Sequence, residues 1–454
     1  PQTRALMSFL PSAGSGADDV IDGFPTVDAL RADLRELCRA HPDRATASVI
    51  GRSREGEPID LITIAGGPGR VVVAAGVHPN EPIGFRTVQR LARLLLTEPE
   101  GDALGATWYL VPCADPDGTR LNQDWFAPPL RRADYYRGFY RPAPAEQVEW
   151  SFPFSYRGVR FDDPIPETVA LMGLFDRVRP DVFVGLHNGE FGGVYFYTND
   201  ADPLLAAELS AIPAAHGLAL DVGEPEMDGL VPLADAVFRA PLIREMIDRR
   251  LAAGLDLDTH AGGAGTADYL ERYGTTTMIA ELPYWIHPAA SDTTETSVLY
   301  RDVLREKADA LDDLHELLSH TLAVTRDHLR IDSPLRRASE AFAAGMGSLA
   351  VAERARSALP ASARPATEAE VFGNAEVVRT FRLRFGGILR RTLDAEASAG
   401  AVHPAVSAAR AALTAQWEAW LAADPHRDLP PVPTATLVDV QLAALLATVR
   451  RRLA

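Results

Sequence analysis

The chain has 454 residues, of which 47% are hydrophobic and 24% charged, a composition typical of a folded globular protein. Its formal net charge of −17 argues against nucleic acid or an anionic membrane surface as a partner, and its apolar runs are too short to cross a bilayer. Two cysteines, Cys38 and Cys113, exclude a disulfide framework and a cysteine-based zinc site. They favour a reducing compartment, and residues 1–16 show no secretion signal, so we expect a cytoplasmic protein.

Hydrophobic periodicity predicts alternating strands and helices along the first 325 residues. Helices are predicted at 26–39, 82–96, 167–178, 204–216, 233–252 and in the region 293–322, and strands at 48–51, 59–64, 70–75, 107–112, 182–186 and 277–282. The segment GRSREGEP (51–58) contains the glycine and proline of a hairpin turn. We therefore predict an α/β fold whose mixed sheet is covered by helices on both faces.

The character of the sequence changes after about Ser333. Valine, isoleucine and aromatic residues become fewer, alanine and arginine dominate, and helical periodicity continues to Ala454, with proline-containing linkers at 360–365 and 430–433. We predict a catalytic domain over 1–325 and an all-helical C-terminal extension over 326–454. The extension could cap an active site, form the contact of a homo-oligomer or dock another partner.

Polar side chains follow two of the predicted strands. His78 and Glu81 come directly after the strand at 70–75, within GVHPNE, and His187 ends the strand at 182–186. Two imidazoles and a carboxylate suit Zn²⁺, a catalytic zinc needs about three protein ligands, and sites in open α/β sheets gather at the carboxyl ends of strands. The alternatives are an incidental histidine in a polar loop and a histidine whose polar atoms are satisfied within the core.

Two glutamates lie in similar positions. Glu281 follows an apolar strand, where a carboxylate is costly unless it is paired, bound to a metal or functional. It is the candidate for the general base that takes a proton from a zinc-bound water and passes it to the leaving amine. The alternative is an acid of an edge strand that accepts hydrogen bonds from backbone donors. Glu190 could contact the substrate, support the site or be a solvated acid of a loop.

Seven ordered segments resemble the zinc carboxypeptidase superfamily, which contains carboxypeptidase A and the succinylglutamate desuccinylase/aspartoacylase group. Between about residues 45 and 320 they are GRSREGEPI, GVHPNE, VPCADPDGTRLN, PIPET, VFVGLHNGE, TADYLERYG and MIAEL. The resemblance implies a mixed, roughly eight-stranded sheet between helices and one zinc ion. It implies that His78, Glu81 and His187 bind zinc, that Glu281 is the base, and that Arg120 polarises the scissile carbonyl. The alternative for Arg120 is a surface arginine after a Pro-Asp-Gly turn.

The resemblance fails at the residues that bind substrate. Members of the superfamily carry an Asp-x-Asn-Arg-Asn segment that binds a terminal carboxylate, whereas this sequence offers Asn122 with no arginine after it. The other guanidinium groups considered for this role belong to Arg131, Arg132, Arg137, Arg157 and Arg160. His260 stands where the mobile tyrosine of the superfamily is expected, among glycines that indicate a flexible loop.

The sequence therefore favours a zinc-dependent hydrolase of amide bonds, which removes a C-terminal residue from a peptide or peptide-like metabolite. One alternative is a zinc-dependent deacylase or amidase that acts on a small N-acyl amino acid. A third hypothesis, from another class, is a non-catalytic binding module that has kept the fold.

Overall fold

The computed structural model describes residues 23–98, 104–227, 229–252, 254, 262–400 and 402–454. Its strands, in chain order, are β1 (Ala45–Arg52), β2 (Pro58–Ile64), β3 (Gly69–Ala75), β4 (Ala106–Val111), β5 (Phe154–Tyr156), β6 (Val159–Phe161), β7 (Val182–Leu186), β8 (Phe191–Gly192), β9 (Tyr195–Thr198), β10 (Val231–Ala234), β11 (Val237–Arg239), β12 (Thr276–Glu281), β13 (Trp285–Ile286), β14 (Glu295–Leu299) and β15 (Pro365–Thr367). Nine of them form one sheet in the order β1-β2-β4-β3-β7-β12-β9-β11-β10.

The α-helices of the described residues lie on both faces of this sheet and in a C-terminal bundle. In chain order they are α1 (Val27–Ala40), α2 (Ile83–Thr97), α3 (Pro116–Arg120), α4 (Arg132–Gly138), α5 (Pro166–Val178), α6 (Pro203–Ala215), α7 (Ile243–Ala252), α8 (Thr266–Leu270), α9 (Tyr300–Thr325), α10 (Pro334–Ser357), α11 (Glu368–Ser398), α12 (Pro404–Ala422) and α13 (Thr434–Leu453). None of the helices in the described part of the chain is both long and apolar enough to span a membrane.

Successive side chains of the central strands point to opposite faces of the sheet, so the core has two halves. Val71 and Val73 of β3 pack with α1, α2, α6 and α13, whereas Val72 and Ala74 pack with α5, α7 and α8 on the other face. Because the central strands are buried on both faces, β3 and β7 appear in the sequence as continuous apolar runs. The predicted α/β fold with a mixed sheet between helices is confirmed, with nine strands in place of roughly eight.

Parallel pairing brings three strand ends to one edge of the sheet. β3 and β7 are parallel neighbours, and β12 is the parallel neighbour of β7 on its other side. The side chains that follow β3, end β12 or follow β7 must therefore emerge close together. His78, Glu281 and His187 hold these positions.

Two predicted helical regions begin differently in the structure. The prediction of a helix over 233–252 is wrong in its first half, where β10 and β11 form a hairpin before α7 starts at Ile243. Ala236 has a φ of 54° in the hairpin turn, and Pro241 precedes the helix, so both residues oppose a helix there. The region 293–322 begins with strand β14, which pairs with β15 of the C-terminal extension. The extension is thus not all-helical.

The C-terminal helices pack on the rest of the chain through a shared apolar core. Helices α9, α10, α11 and α12 contact one another, whereas α13 lies on the sheet against α2 and α6. Leu437, Val440 and Leu445 of α13 belong to the same buried cluster as Val71 and Val73 of β3. The division at residue 325 stays a prediction, but the extension covers part of the sheet.

Candidate active site

The turn after β3 places His78 and Glu81 at the edge of the sheet. It opens with Gly76, whose φ is 61°, and a Cβ there would lie 2.8 Å from the ring of Phe85. The Glu81 amide donates to the His78 carbonyl at 3.1 Å, and helix α2 begins two residues later. Glycine is therefore required for both the backbone conformation and the close approach of α2.

The loop after β7 is tied to this turn. The backbone amide of Asn188 donates to Glu81 Oε2 at 3.2 Å, and Asn188 Oδ1 accepts from the Ile83 amide at 3.2 Å. From the opposite side, Gln441 of α13 donates to the His187 carbonyl at 3.0 Å. These buried bonds fix the backbone of both segments, as a preorganised site requires.

The four residues predicted to form the catalytic centre meet at this edge. His187 Nδ1 lies 3.2 Å from Glu81 Oε2 and 3.7 Å from Glu281 Oε1. The rings of His78 and His187 are 4.9 Å apart between centroids, and all four side chains are buried. Side-chain atoms of Glu81, His187 and Glu281 that can bind a metal lie within 4.8 Å of one another.

Glu149, which the sequence reasoning missed, contacts both histidines. Its Oε2 lies 3.0 Å from His187 Nε2 and 3.8 Å from His78 Nε2, and its Oε1 accepts from Thr266 Oγ1 at 3.2 Å. The contact with His187 is an ion pair rather than a well-directed hydrogen bond. A carboxylate on the Nε2 side of two imidazoles orients their Nδ1 atoms toward a common cation. Glu149 lies in a 3-10 helix of three residues, Val148–Trp150, and no local pattern marks it.

The electrostatics of the centre favour a bound cation. Burial lowers the pKa of His78 to about 3, with Arg141 adding to this effect, so the imidazole is neutral. Burial also lowers the pKa of His187, but Glu149 and Glu81 outweigh it and hold the pKa well above its ordinary value. A cation held among the carboxylates would displace the proton of His187, because metal ligands must be deprotonated.

The residues present fit a zinc ion. His78 Nδ1 is buried and has no hydrogen-bond partner in the described structure, which is costly unless a ligand completes it. Together with Glu81 and His187 it provides the two imidazoles and one carboxylate of a catalytic zinc site with an open position. His78 belongs to a second group of potential ligands, His78, Glu149 and His187, which shares only His187 with the group of Glu81, His187 and Glu281. In this second group Glu149 faces the Nε2 atoms of the two histidines.

Arg141 is the guanidinium that the structure places beside this centre. Its Nη1 donates to Glu81 Oε1 at 2.8 Å, its Nε donates to Gln147 Oε1 at 3.1 Å, and it lines the cavity. Asn122 supports it indirectly, because its buried amide binds the backbone N–H and carbonyl of Tyr140 at 3.0 and 2.9 Å. The structure thus uses Asn122 to hold the chain before Arg141, and Asn122 is not among the residues that line the cavity.

Arg120 lies elsewhere, contrary to the role that the sequence suggested. Its guanidinium donates to both carboxylate oxygens of Asp28 at 2.9 and 2.8 Å and to Glu57 at 3.0 Å. It does not line the cavity. The turn after Pro116 directs this side chain toward α1 and the β1–β2 hairpin, so the structure gives no support to Arg120 as the polarising residue.

The other residues predicted to bind substrate differ in whether they line the cavity. Glu190 lines the cavity and pairs with Arg384. His260 lies outside the described residues. None of the five arginines considered for carboxylate binding lines the cavity, namely Arg131, Arg132, Arg137, Arg157 and Arg160.

A cavity of about 1010 Å³ opens at the centre. One wall carries the catalytic cluster, and another is formed by α11, whose Gly373, Val377, Phe381 and Arg384 recur at helical spacing along the cavity. The C-terminal extension therefore forms part of the wall that faces the catalytic residues. This favours capping among the three roles considered for it.

Comparison with known protein families covers the part of the chain that holds His78, Glu81 and His187, but not Glu281. Residues 30–224 match the family model Peptidase_M14, described as zinc carboxypeptidase. Zinc carboxypeptidase A 1 of Anopheles gambiae is 30% identical over 101 residues, which are 21% of this chain and 23% of that protein. The match thus spans less than a quarter of the length of this curated relative.

Solved structures of metallopeptidases are also similar. Carboxypeptidase A from Helicoverpa armigera is 13% identical, with 79% of this chain and 81% of that chain covered and a TM-score of 0.41. A metallo-carboxypeptidase from Burkholderia cenocepacia is 18% identical, with 57% and 60% covered and a TM-score of 0.34.

Proposed function

We propose that this chain, whose residues 30–224 match the zinc carboxypeptidase family model, is a zinc-dependent hydrolase of that family that removes the C-terminal residue from a short peptide or peptide-like metabolite. The observation that carries the proposal is the meeting of His78, Glu81, His187 and Glu281 at one edge of the sheet. A cavity of about 1010 Å³, walled in part by α11, suits a ligand of a few residues better than the end of a folded protein.

His78, Glu81 and His187 would hold one zinc ion, which supplies polarisation of the scissile carbonyl and a lowered pKa of the attacking water. Glu281 would take the proton of that water and return it to the leaving amine. Burial and the Glu81 and Glu226 carboxylates raise the pKa of Glu281 well above the ordinary value, against the effect of His187. The raised pKa favours retention of the proton until it is returned to the amine. Glu149 would hold the two imidazoles in orientation.

Arg141 would stabilise the negative charge that develops on the carbonyl oxygen. It already contacts Glu81, so its guanidinium lies next to the proposed metal, and it lines the cavity. The chain before it is fixed by Asn122, as a preorganised donor requires.

Replacing Arg141 by glutamine should lower kcat/KM by about 100- to 1,000-fold, because one fixed donor to the developing oxyanion is lost. Arg120→Gln is the matched control, since Arg120 is also an arginine held by carboxylates but lies away from the cavity. We expect it to change kcat/KM by less than about threefold. Steady-state kinetics of both variants test the assignment, and a larger loss in Arg120→Gln than in Arg141→Gln would reverse it.

The proposed function is tested by offering the zinc-loaded chain three sets of compounds: short peptides, the same peptides with amidated C-termini, and N-acyl amino acids. We expect mass spectrometry to show loss of one C-terminal residue from the free-acid peptides only, with no product after removal of zinc by a chelator. Release of acyl groups alone would establish the deacylase alternative. Absence of any zinc-dependent product would refute the hydrolase.

A further inference from the structure

The floor of the cavity beside Glu281 is formed by one face of two antiparallel strands. In the register of β9 and β12, Tyr195 lies opposite Glu281 and Tyr197 lies opposite Ile279. Because alternate residues of a strand point to the same face, these four side chains share one face of the sheet, and all four line the cavity. The floor therefore begins at the proposed base and continues across β9.

The order of the strands gives this floor a direction. β12 lies between β7 and β9, so His187 lies on one side of Glu281 and Tyr195 lies on the other. A substrate whose scissile carbonyl lies at the proposed metal places its leaving amine near Glu281, which returns the proton to that amine. The residue that leaves then extends over β9, away from the metal.

Aromatic rings cover the floor in this direction. The rings of Tyr195 and Tyr197 are 5.6 Å apart between centroids, and Phe238 of β11 continues the row at 6.4 Å from Tyr197. Phe238 also lines the cavity. Aromatic rings bind the apolar stem of a side chain, and the negative face of their π-system attracts a cation.

Glu226 places an exposed carboxylate beside this aromatic row. Its Oε2 accepts from the Tyr197 hydroxyl at 2.8 Å, and it makes no ion pair with any residue that the structure describes. It contributes to the raised pKa of Glu281, so it lies within electrostatic range of the proposed base. Because the residue is exposed and lines the cavity, a ligand can reach its carboxylate.

Two arginines of the cavity wall do not compensate the charge of Glu226. Arg239 donates to both carboxylate oxygens of Glu245 at 2.9 and 3.3 Å, and Arg244 donates to both carboxylate oxygens of Glu271 at 2.6 Å. Each guanidinium thus already has a carboxylate of its own. Glu226 is left as a negative charge without a cation beside the aromatic row.

The C-terminal extension fixes the loop that carries Glu226. Residues 221–227 of this loop all line the cavity. Glu224, whose side chain is 3% exposed, accepts from Arg356 of α10 at 2.7 Å and from Asn374 of α11 at 2.8 Å. Glu226 and both helices lie beyond the residues that the family model matches, so the position of this carboxylate is a feature of this chain's own C-terminal part.

We propose that Glu226 selects substrates whose leaving residue has a cationic side chain, such as the guanidinium of arginine or the ammonium of lysine. The stem of that side chain lies over Tyr195 and Tyr197, and its charged end pairs with the Glu226 carboxylate. The same carboxylate repels an acidic leaving residue. This subsite rests on the proposed function, because it describes which residue leaves from the same catalytic centre.

Binding of arginine and citrulline to the full-length, zinc-loaded chain tests the subsite. The two amino acids have side chains of equal length, which end in a charged guanidinium in arginine and in a neutral urea group in citrulline. Neither contains a peptide bond, so turnover does not disturb the measurement. We expect calorimetry to show that arginine binds at least about tenfold more tightly, because only arginine forms a hydrogen bond between two charged groups.

Glu226→Gln should reduce this preference to less than about threefold, because glutamine keeps the shape of the side chain and removes its charge. Asp176→Asn is the matched control. Asp176 is also an exposed acid that accepts from a tyrosine hydroxyl, that of Tyr269 at 2.6 Å, but it does not line the cavity, so the preference should be unchanged. Glu226→Arg should reverse the preference in favour of citrulline, since two guanidinium groups repel each other.

Equal affinities of the unchanged chain for arginine and citrulline would overturn the proposal, because no carboxylate would then select the cation. A preference for arginine that persists in Glu226→Gln would also overturn it, since another acid of the cavity would bind the cation. A preference that Glu226→Gln loses and Asp176→Asn keeps would support the subsite even if the chain hydrolysed no peptide. Removal of C-terminal residues without any preference for arginine would uphold the proposed function and overturn the subsite.

Discussion

Replacing Glu281 by glutamine is expected to lower turnover by about 100- to 10,000-fold while the zinc content stays at one ion per chain. Glutamine has nearly the same shape but cannot accept the proton of the attacking water. The side chain is buried at the end of β12 with His187 3.7 Å away, so an isosteric change should leave the fold intact. Steady-state kinetics and metal analysis of the purified variant measure the two effects separately.

Glu245→Gln is the control for this variant. Glu245 lines the same cavity and accepts from Arg239 Nη1 at 2.9 Å, but it makes no contact with the candidate metal ligands in the described structure. We expect its kcat to change by less than about fivefold. Loss of zinc from Glu281→Gln would mean that Glu281 binds the metal, and unchanged turnover would refute its role as the base.

Replacing Arg132 by methionine is expected to lower the free energy of unfolding by about 3–5 kcal/mol, because it leaves the buried Asp424 carboxylate without its cation and leaves buried Glu376 with Arg379 alone. The Arg132 side chain is 0% exposed, and it donates to Glu376 of α11 at 2.7 Å and to Asp424, which follows α12, at 3.2 Å. Its guanidinium also lies 4.5 Å from the centre of the Phe191 ring. Urea unfolding of the variant and the wild type gives the difference.

Arg137→Met is the matched control, five residues further along the chain. Arg137 is 47% exposed, and its ion pairs with Asp134 and Glu418 are long, at 3.8 and 3.5 Å. Exposed pairs of this kind contribute between 0 and about 1 kcal/mol. If both variants lose the same free energy of unfolding, the prediction is contradicted. The buried ion pairs of Arg132 would then stabilise the contact between the extension and the catalytic part no more than surface ion pairs do.

The site residues at the ends of strands could be predicted from the sequence, because an apolar run next to a polar residue is a local pattern. His78, His187 and Glu281 each follow or end an apolar run, and parallel pairing brings such positions to one edge of a sheet. Glu149 and Arg141 could not be found in this way. They lie between α4 and α5, in a stretch of loops, short 3-10 helices and short strands. There the direction of a side chain depends on contacts with distant residues, and no periodicity indicates it.

The two wrong predictions, for Arg120 and for the helix over 233–252, arise for the same reason. The turn that holds Arg120 was identified, but the direction of its side chain depends on Asp28 and Glu57, which lie 92 and 63 residues away. The hairpin of β10 and β11 was predicted as a helix because its few apolar residues fit both periods, and the turn at Ala236 left no glycine to mark it. Local patterns therefore located the catalytic centre but not the walls of its cavity.

The hydrogen bond from Gln441 to the His187 carbonyl joins two segments that are synthesised at different times. The two residues are 254 positions apart, so the candidate metal ligand has been made long before the helix that supports it. At about 5–20 residues per second, the face of the sheet that α13 covers waits roughly 10–50 s on the ribosome. Under the proposed function, binding of zinc in its final geometry is a late step of maturation, and the nascent chain exposes apolar surface that a chaperone could bind in the meantime.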